Sequence, residues 1–192
     1  MRRNFFAKFI FISLLMLSHN TTAQSISIIG AGNDARLCSI AAEVAAKLQT
    51  VSRDDLKSCV LALEYGSLKR SDRAGTLVNK GIILTVLERY QEAYADYRKA
   101  IEIMNNLPEA YIGRGNIYFL SGKYELAIAD YSEALNLNLS RDHIAFFNRG
   151  MAYEKIKDYV NAEENYRLAL EKVPAWSLAL NKLEKLNAKI ER

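Results

Sequence analysis

The stretch YIGRGNIYFLSGKYELAIADYSEA, residues 111–134, contains two apolar-periodic segments on either side of the short polar turn Ser121-Gly122-Lys123. Apolar residues that recur every three or four positions predict α-helices, and a short polar turn between two such segments predicts an antiparallel helix pair. The same pattern occurs three times, around Gly81, Gly115 and Gly150, at intervals of 34 and 35 residues. The body of this chain is therefore expected to be an array of helix pairs.

Six columns of residues recur at fixed offsets from these three glycines, which is the signature of a structural repeat. The columns are Leu77, Tyr111 and Phe146; Leu84, Tyr118 and Tyr153; Tyr90, Tyr124 and Tyr159; Ala93, Ala127 and Ala162; Tyr97, Tyr131 and Tyr166; and Ala100, Ala134 and Ala169. Small residues in both helices let the two backbones approach, and we expect this packing role for Gly81, Ala93, Gly115, Ala127, Gly150 and Ala162. The aromatic columns fill the space between the helices. Since one helix pair cannot cover its own apolar face, stability is expected to come from stacking.

These columns resemble the tetratricopeptide repeat (TPR) family over about residues 74 to 176. The resemblance implies an all-α fold, a right-handed α-solenoid of antiparallel helix pairs. One departure is that the proline common near the end of a repeat occurs only as Pro174, with Asn105 and Leu139 at the corresponding positions of the first two repeats. We expect those two junctions to be less fixed.

The sequence divides into seven segments. They are a signal peptide (1–23), a flexible leader (24–34), a divergent helical hairpin cap (35–73), three repeats (74–107, 108–142 and 143–176) and a C-terminal capping helix (177–192). The cap is predicted to contain helices over 35–48 and 54–65, and the last helix extends over 176–190 with a Lys/Glu-rich outer side. Both ends of a solenoid require such caps.

The N-terminus has the features of a secretory signal peptide. Arg2, Arg3 and Lys8 accompany a short apolar run, and small residues lead to a predicted cleavage site after Ala23. The run is shorter than the roughly 20 apolar residues of a membrane span, so an uncleaved anchor is the weaker alternative. We therefore predict an exported, periplasmic or secreted protein that is not inserted in the membrane once the signal is removed.

Removal of the signal peptide changes the charge of the chain from +4 to +1, because the segment carries three basic residues and no acidic one. No Lys/Arg-rich run remains, which argues against nucleic acid as a partner. Residues 25–35 include a GxGxxA pattern, but no later segment is predicted to form the second strand that a dinucleotide site requires. We therefore predict no cofactor.

The two cysteines, Cys38 and Cys59, lie in the predicted cap, and an even cysteine number in an exported protein predicts a disulfide. A symmetric turn near residue 51 would place Cys59 opposite residue 43, about one helical turn from Cys38, so helix tilt or an uneven turn must bring the pair together. Two buried free thiols are the alternative. After signal cleavage the chain retains one histidine, His143, and no cluster of metal ligands, so we predict no metal site and no enzyme activity.

A charged column allows two interpretations. Lys80, Arg114 and Arg149 precede the repeat glycines, while Asp96, Asp130 and Asn165 recur on the partner helices. The first interpretation is that each pair holds its two helices in register, which we favour because cation and acid recur together in two repeats. The second is a row of cations that binds acidic ligands.

The resemblance implies a concave groove, lined by the first helix of each pair, that binds a peptide or a partner helix. The family's groove positions correspond to Val78, Asn79, Ile82, Val86, Ile112, Asn116, Phe119, Phe147, Asn148, Met151 and Lys155. The family's clamp for C-terminal carboxylates needs lysine where Val78 stands, which disfavours that mode. We expect a non-catalytic adaptor with a protein or peptide partner. The alternatives are that the cap or a second copy of the chain covers part of this surface, and that the protein self-associates through it.

Overall fold

The computed structural model describes residues 33–191 apart from residues 138 and 140, and the secondary structure in that part is helical. The predicted signal peptide and most of the leader lie outside the described residues. The helices are α1 (Asn33–Leu48), α2 (Arg53–Tyr65), α3 (Arg70–Val86), α4 (Tyr90–Ile103), α5 (Pro108–Leu120), α6 (Tyr124–Asn136), α7 (Asp142–Lys155), α8 (Tyr159–Lys172) and α9 (Ser177–Ile190). The all-α prediction is confirmed. The described residues up to Gly113 form one compact unit (unit 1), and those from Arg114 onward form a second (unit 2).

The cap of unit 1 consists of α1 and α2, whose bounds agree with the predicted helices to within two residues. A capping box starts α2: the Ser52 hydroxyl accepts from the Asp55 backbone N–H, and the Asp55 carboxylate accepts from the Ser52 N–H. These bonds satisfy backbone donors that the first helical turn leaves unpaired. Small buried residues of the two helices form two clusters, Ala42 and Ala45 of α1 with Cys59 of α2, and Ala35 of α1 with Ala62 of α2.

The predicted Cys38–Cys59 disulfide is confirmed, with the two Cα atoms 4.7 Å apart. The gap of about one helical turn that a symmetric turn would leave between the cysteines is closed in the folded hairpin. Alanines at the helix contact allow a close approach, and both cysteines are fully buried beside Ile83 of α3. The disulfide therefore belongs to the core that joins the cap to the first repeat.

The first repeat pairs α3 with α4, and it starts earlier than predicted because α3 begins at Arg70 rather than near Ala74. The side chain of Tyr97 on α4 lies between two glycines. A Cβ atom added to Gly81 would come within 2.7 Å of the Tyr97 ring, and one added to Gly113 would come within 2.3 Å. Both positions therefore require glycine to leave room for this ring. Gly113 was not among the predicted packing residues.

Gly113→Ala is expected to destabilise unit 1 by about 2 kcal/mol. Overpacking a core costs about 1–3 kcal/mol, and alanine recovers up to about 1 kcal/mol of helix propensity. The overpacking cost lies at the upper end of its range here, because Gly81 also lies against the Tyr97 ring and Tyr97 is only 2% exposed. Denaturant unfolding followed by circular dichroism measures the loss. If the ring clash is the cause, Tyr97→Leu in the same chain should remove most of the effect of Gly113→Ala, whereas additive losses would contradict it.

Unit 2 repeats this arrangement twice. Tyr131 lies against Gly115 and Tyr166 against Gly150, where an added Cβ would be 2.8 and 2.9 Å from the respective rings. The turn between α5 and α6 places Gly122 at φ 75°, which glycine adopts without strain. All six repeat glycines and alanines for which the sequence predicts a packing role are buried.

The C-terminal helix α9 packs on the third repeat through an aromatic residue and an ion pair. The Trp176 ring, at the start of α9, lies 4.8 Å from Phe147 and 5.3 Å from His143. Lys182 donates to Glu154 Oε2 at 2.9 Å, and the Tyr166 hydroxyl donates to the same oxygen at 2.7 Å. These bonds keep the pKa of Glu154 below its usual value despite its burial.

Candidate functional site

The predicted groove residues of unit 1 are mostly covered. Val78, Asn79 and Ile112 are buried. Ile82 and Val86 are partly buried and pack against the cluster that contains the cysteines. The cap thus takes up the part of the surface that the first repeat would otherwise offer, as the alternative interpretation expected.

The predicted groove residues of unit 2 are also largely internal. Asn116, Phe119, Asn148 and Met151 are buried. Phe147 has no exposed surface, because it packs between Tyr166 and Trp176. Lys155, by contrast, is exposed. Phe147 therefore supports the fold and is not free to contact a ligand.

Two of the predicted groove amides form an internal network. Asn148 Nδ2 donates to Asn116 Oδ1 at 3.2 Å, and the Tyr131 hydroxyl donates to the same oxygen at 2.8 Å. Asn148 Oδ1 and, in unit 1, Asn79 Nδ2 are buried without a hydrogen-bond partner. Unpartnered buried polar atoms are rare and costly, so these two amides have capacity for a further hydrogen bond.

The charged column forms the interhelical pairs that the first interpretation predicted. Lys80 Nζ lies 2.8 Å from Asp96 Oδ2, and Arg114 binds both oxygens of Asp130, at 2.7 and 2.8 Å. Burial raises the pKa of Asp96 even though Lys80 opposes the shift. In the third repeat Arg149 donates to Asn165 Oδ1 at 2.8 Å, a neutral acceptor.

An exposed apolar stripe runs along α1 and was not predicted. It consists of Leu37, Ile40, Val44 and Leu48, each at least 40% exposed. Their spacing of three, four and four residues places them on one helical face, so the pattern was visible in the sequence. On α9, Asn181, Glu184 and Lys185 are exposed, as expected for a polar cap.

The described residues show no cluster of metal-ligating side chains, and none of their helices is both long and apolar enough to cross a bilayer. His143, whose ring contacts Trp176, is half-buried at the start of α7. Burial lowers the pKa of His143; Asp142 opposes this shift and Arg141 reinforces it. His143 therefore acts in the packing of the third repeat against α9.

Unit 2 is expected to lose stability on acidification because of His143. A depressed pKa means that the unfolded chain binds the proton first, so stability falls as pH drops below the ordinary value of 6.5 and continues to fall to the folded pKa. Urea unfolding followed by Trp176 fluorescence at about pH 7.5 and about pH 5.5 measures this difference. His143→Phe should reduce the difference, and an unchanged difference would assign it to other groups.

The fold and the surface described above define a helical-repeat protein. Three family models for the tetratricopeptide repeat match residues 81–121, 108–139 and 144–171, which identifies the repeated helix pair as the tetratricopeptide repeat. Human tetratricopeptide repeat protein 13 is 32% identical over 117 residues, which are 56% of this chain and 14% of that protein. Rat dynein axonemal assembly factor 4 is 29% identical over 131 residues, 64% of this chain and 31% of that protein. The chain thus spans less than a third of either relative.

Two solved structures share the fold. The first TPR domain of Spaghetti (RPAP3), bound to the HSP90 peptide SRMEEVD, is 27% identical with a TM-score of 0.61, and the match covers 64% of this chain and 96% of that domain. MamA from Desulfovibrio magneticus is 19% identical with a TM-score of 0.67, over 84% of this chain and 88% of MamA. The first of these shows that a related domain of this size binds a peptide.

Proposed function

We propose that this protein is a non-catalytic periplasmic adaptor that binds a peptide segment or a partner helix through its tetratricopeptide repeats. The observation that carries the proposal is the peptide-bound Spaghetti domain, nearly all of which aligns with this chain.

The expected ligand differs from the HSP90 peptide that is bound to the Spaghetti domain. Val78 occupies the position where the carboxylate clamp of the family needs lysine, and Val78 is buried. A peptide with a free C-terminal carboxylate therefore meets no clamp there. We expect the peptide SRMEEVD not to bind, and an internal or helical segment of the partner to be the ligand.

Export is supported by the N-terminal sequence and by the disulfide. Disulfides persist in oxidising compartments such as the periplasm. Mass spectrometry of the protein purified from a periplasmic fraction should give a chain that starts at Gln24. Recovery of the protein only in the cytoplasmic fraction, or only in membranes with residues 1–23 retained, would contradict this part of the proposal.

Capture of partners from periplasmic extract tests the binding function. Lys155 is the exposed position among the predicted groove residues, so Lys155→Glu reverses a charge at the groove without removing core packing. Lys185→Glu, on the exposed side of α9, makes the same charge change away from the groove. Partners that are lost in the first variant and kept in the second support groove binding. Equal recovery by the two variants would mean that recognition occurs elsewhere on the protein.

Self-association is a second candidate function, and the apolar stripe on α1 favours it. Exposed apolar residues aligned along one helix mark contact surfaces more often than isolated ones do. Light scattering over a range of concentrations decides the matter: Ile40→Glu should abolish any oligomer, and Val160→Glu, at a position that is 78% exposed on α8, should leave it intact. A constant monomer mass in the unmodified protein would eliminate this candidate.

A further inference from the structure

The third repeat lacks an acidic residue that the first two repeats have. Lys80 and Arg114 are each neutralised by an aspartate on the partner helix of the same repeat. At the equivalent position the third repeat has Asn165, which accepts a hydrogen bond from Arg149 but carries no charge. Arg149 is therefore the member of the column whose charge is not matched inside its repeat.

The contacts of Arg149 leave part of its guanidinium available. Nε donates to Asn165 Oδ1 at 2.8 Å and Nη1 donates to Ser132 Oγ at 3.0 Å. In the described part of unit 2 no carboxylate forms an ion pair with Arg149, and Nη2 has no protein acceptor. Arg149 as a residue is partly exposed to solvent.

The surroundings of Arg149 hold its guanidinium in place. The side chain is half-buried, and its charged carbon lies 5.6 Å from the centre of the Phe146 ring. Burial lowers the pKa of Arg149, and the charges of Tyr153 and Glu164 oppose this shift. Glu164 acts on it electrostatically but forms no ion pair and is exposed.

We propose that Arg149 is a binding site for a carboxylate side chain of the protein partner, which takes the place of the aspartate found in the first two repeats. The guanidinium is held by Asn165 and Ser132 and belongs to a partly exposed residue, so its remaining N–H groups are the donors that would bind the carboxylate. Charge-assisted bonds between arginine and carboxylate are about twice as strong as neutral ones, and pre-ordering of the arginine reduces the entropy cost. The inference rests on the proposed binding function, since it supplies one anchor for the partner.

The column itself provides the variant that tests this site. Asn165→Asp restores the carboxylate of the first two repeats, so it should occupy Arg149 internally and weaken binding of an external carboxylate by about tenfold or more. This change also removes the hydrogen bond from Asn165 Nδ2 to the Asn161 carbonyl. Glu164→Gln is therefore a second variant, because it leaves that bond in place and should strengthen binding by about twofold.

The probe is sodium acetate, added at constant ionic strength to the oxidised mature protein while the Nε–H resonance of Arg149 is followed by NMR. We expect a saturable shift of this resonance in the unmodified protein. Because Arg149→Gln lacks the resonance, the Ser132 amide is followed there instead, and acetate should not shift it in this variant. Arg167 is the internal control, because it is exposed and already paired with Glu163. Equal responses of Arg149 and Arg167, equal affinities before and after Asn165→Asp, or saturation by inorganic phosphate but not by acetate would each overturn the proposal.

Partner capture separates this inference from the proposed function. Capture of the same partners, in equal amount, by the unmodified protein and by Asn165→Asp would overturn the role of Arg149 while the binding function stands. Failure to capture any partner, together with saturable acetate binding at Arg149, would overturn the proposed function and leave a carboxylate site.

Discussion

Phe147→Ala is expected to destabilise unit 2 by about 4 kcal/mol. Truncation of a buried phenylalanine costs about 3–5 kcal/mol, from lost transfer free energy and from the cavity that remains. Phe147 is fully buried, and its ring centre lies 5.6 Å from that of Tyr166 and 4.8 Å from that of Trp176. Both aromatic contacts are lost together, and the cavity opens between α7, α8 and the start of α9.

Trp176 fluorescence measures this change directly, because Trp176 is the single tryptophan of the chain and lies in unit 2. Unfolding by urea should occur at lower concentration in Phe147→Ala, and the native emission should shift to longer wavelength as water reaches the indole. Phe146→Ala is the matched control, since Phe146 is only partly buried and should cost clearly less. If Phe147→Ala loses no more stability than the control, Phe147 is not a core residue and its predicted place in the groove stands.

The fold could be predicted from the sequence because its determinants are local and repeated. The small residues at Gly81, Gly115 and Gly150 face Tyr97, Tyr131 and Tyr166 in the structure, as their fixed spacing requires. A column that recurs three times remains recognisable even where one repeat has a different residue, so the positions of helices and turns can be predicted with few errors. Gly113 was missed because it occurs in one repeat only and forms no column.

The candidate site could not be predicted as well, because exposure depends on what packs against each helix. The groove positions were taken from the family, but Ile82 and Val86 lie against the cap, and Phe147 lies under Trp176. The cap lies outside the three repeats and Trp176 is the last residue of the third, so the recurring columns contain no information about either of them. The charged column was predicted more successfully, since each cation and its acceptor recur at a fixed separation within one repeat.

Reduction of the Cys38–Cys59 disulfide is expected to destabilise the cap of unit 1 by about 3 kcal/mol. The two cysteines are 21 residues apart in the sequence, and opening this loop restores conformational freedom mainly to the unfolded chain. The cap has few large buried side chains to offset that loss, since its buried residues other than the cysteines are alanines, among them Ala42, Ala45 and Ala62.

Hydrogen exchange of the α1 and α2 amides, compared between the oxidised and the reduced protein, measures the loss where it occurs. Exchange in the two helices should become faster on reduction, by an amount that corresponds to the loss of stability. The double variant Cys38→Ala, Cys59→Ala, which cannot form the disulfide, should exchange quickly in both conditions. Equal protection of α1 and α2 before and after reduction would show that packing against Ile83 suffices to hold the cap. Because Ile82 and Val86 pack on the same cluster, loosening of the cap would also uncover the groove positions of the first repeat.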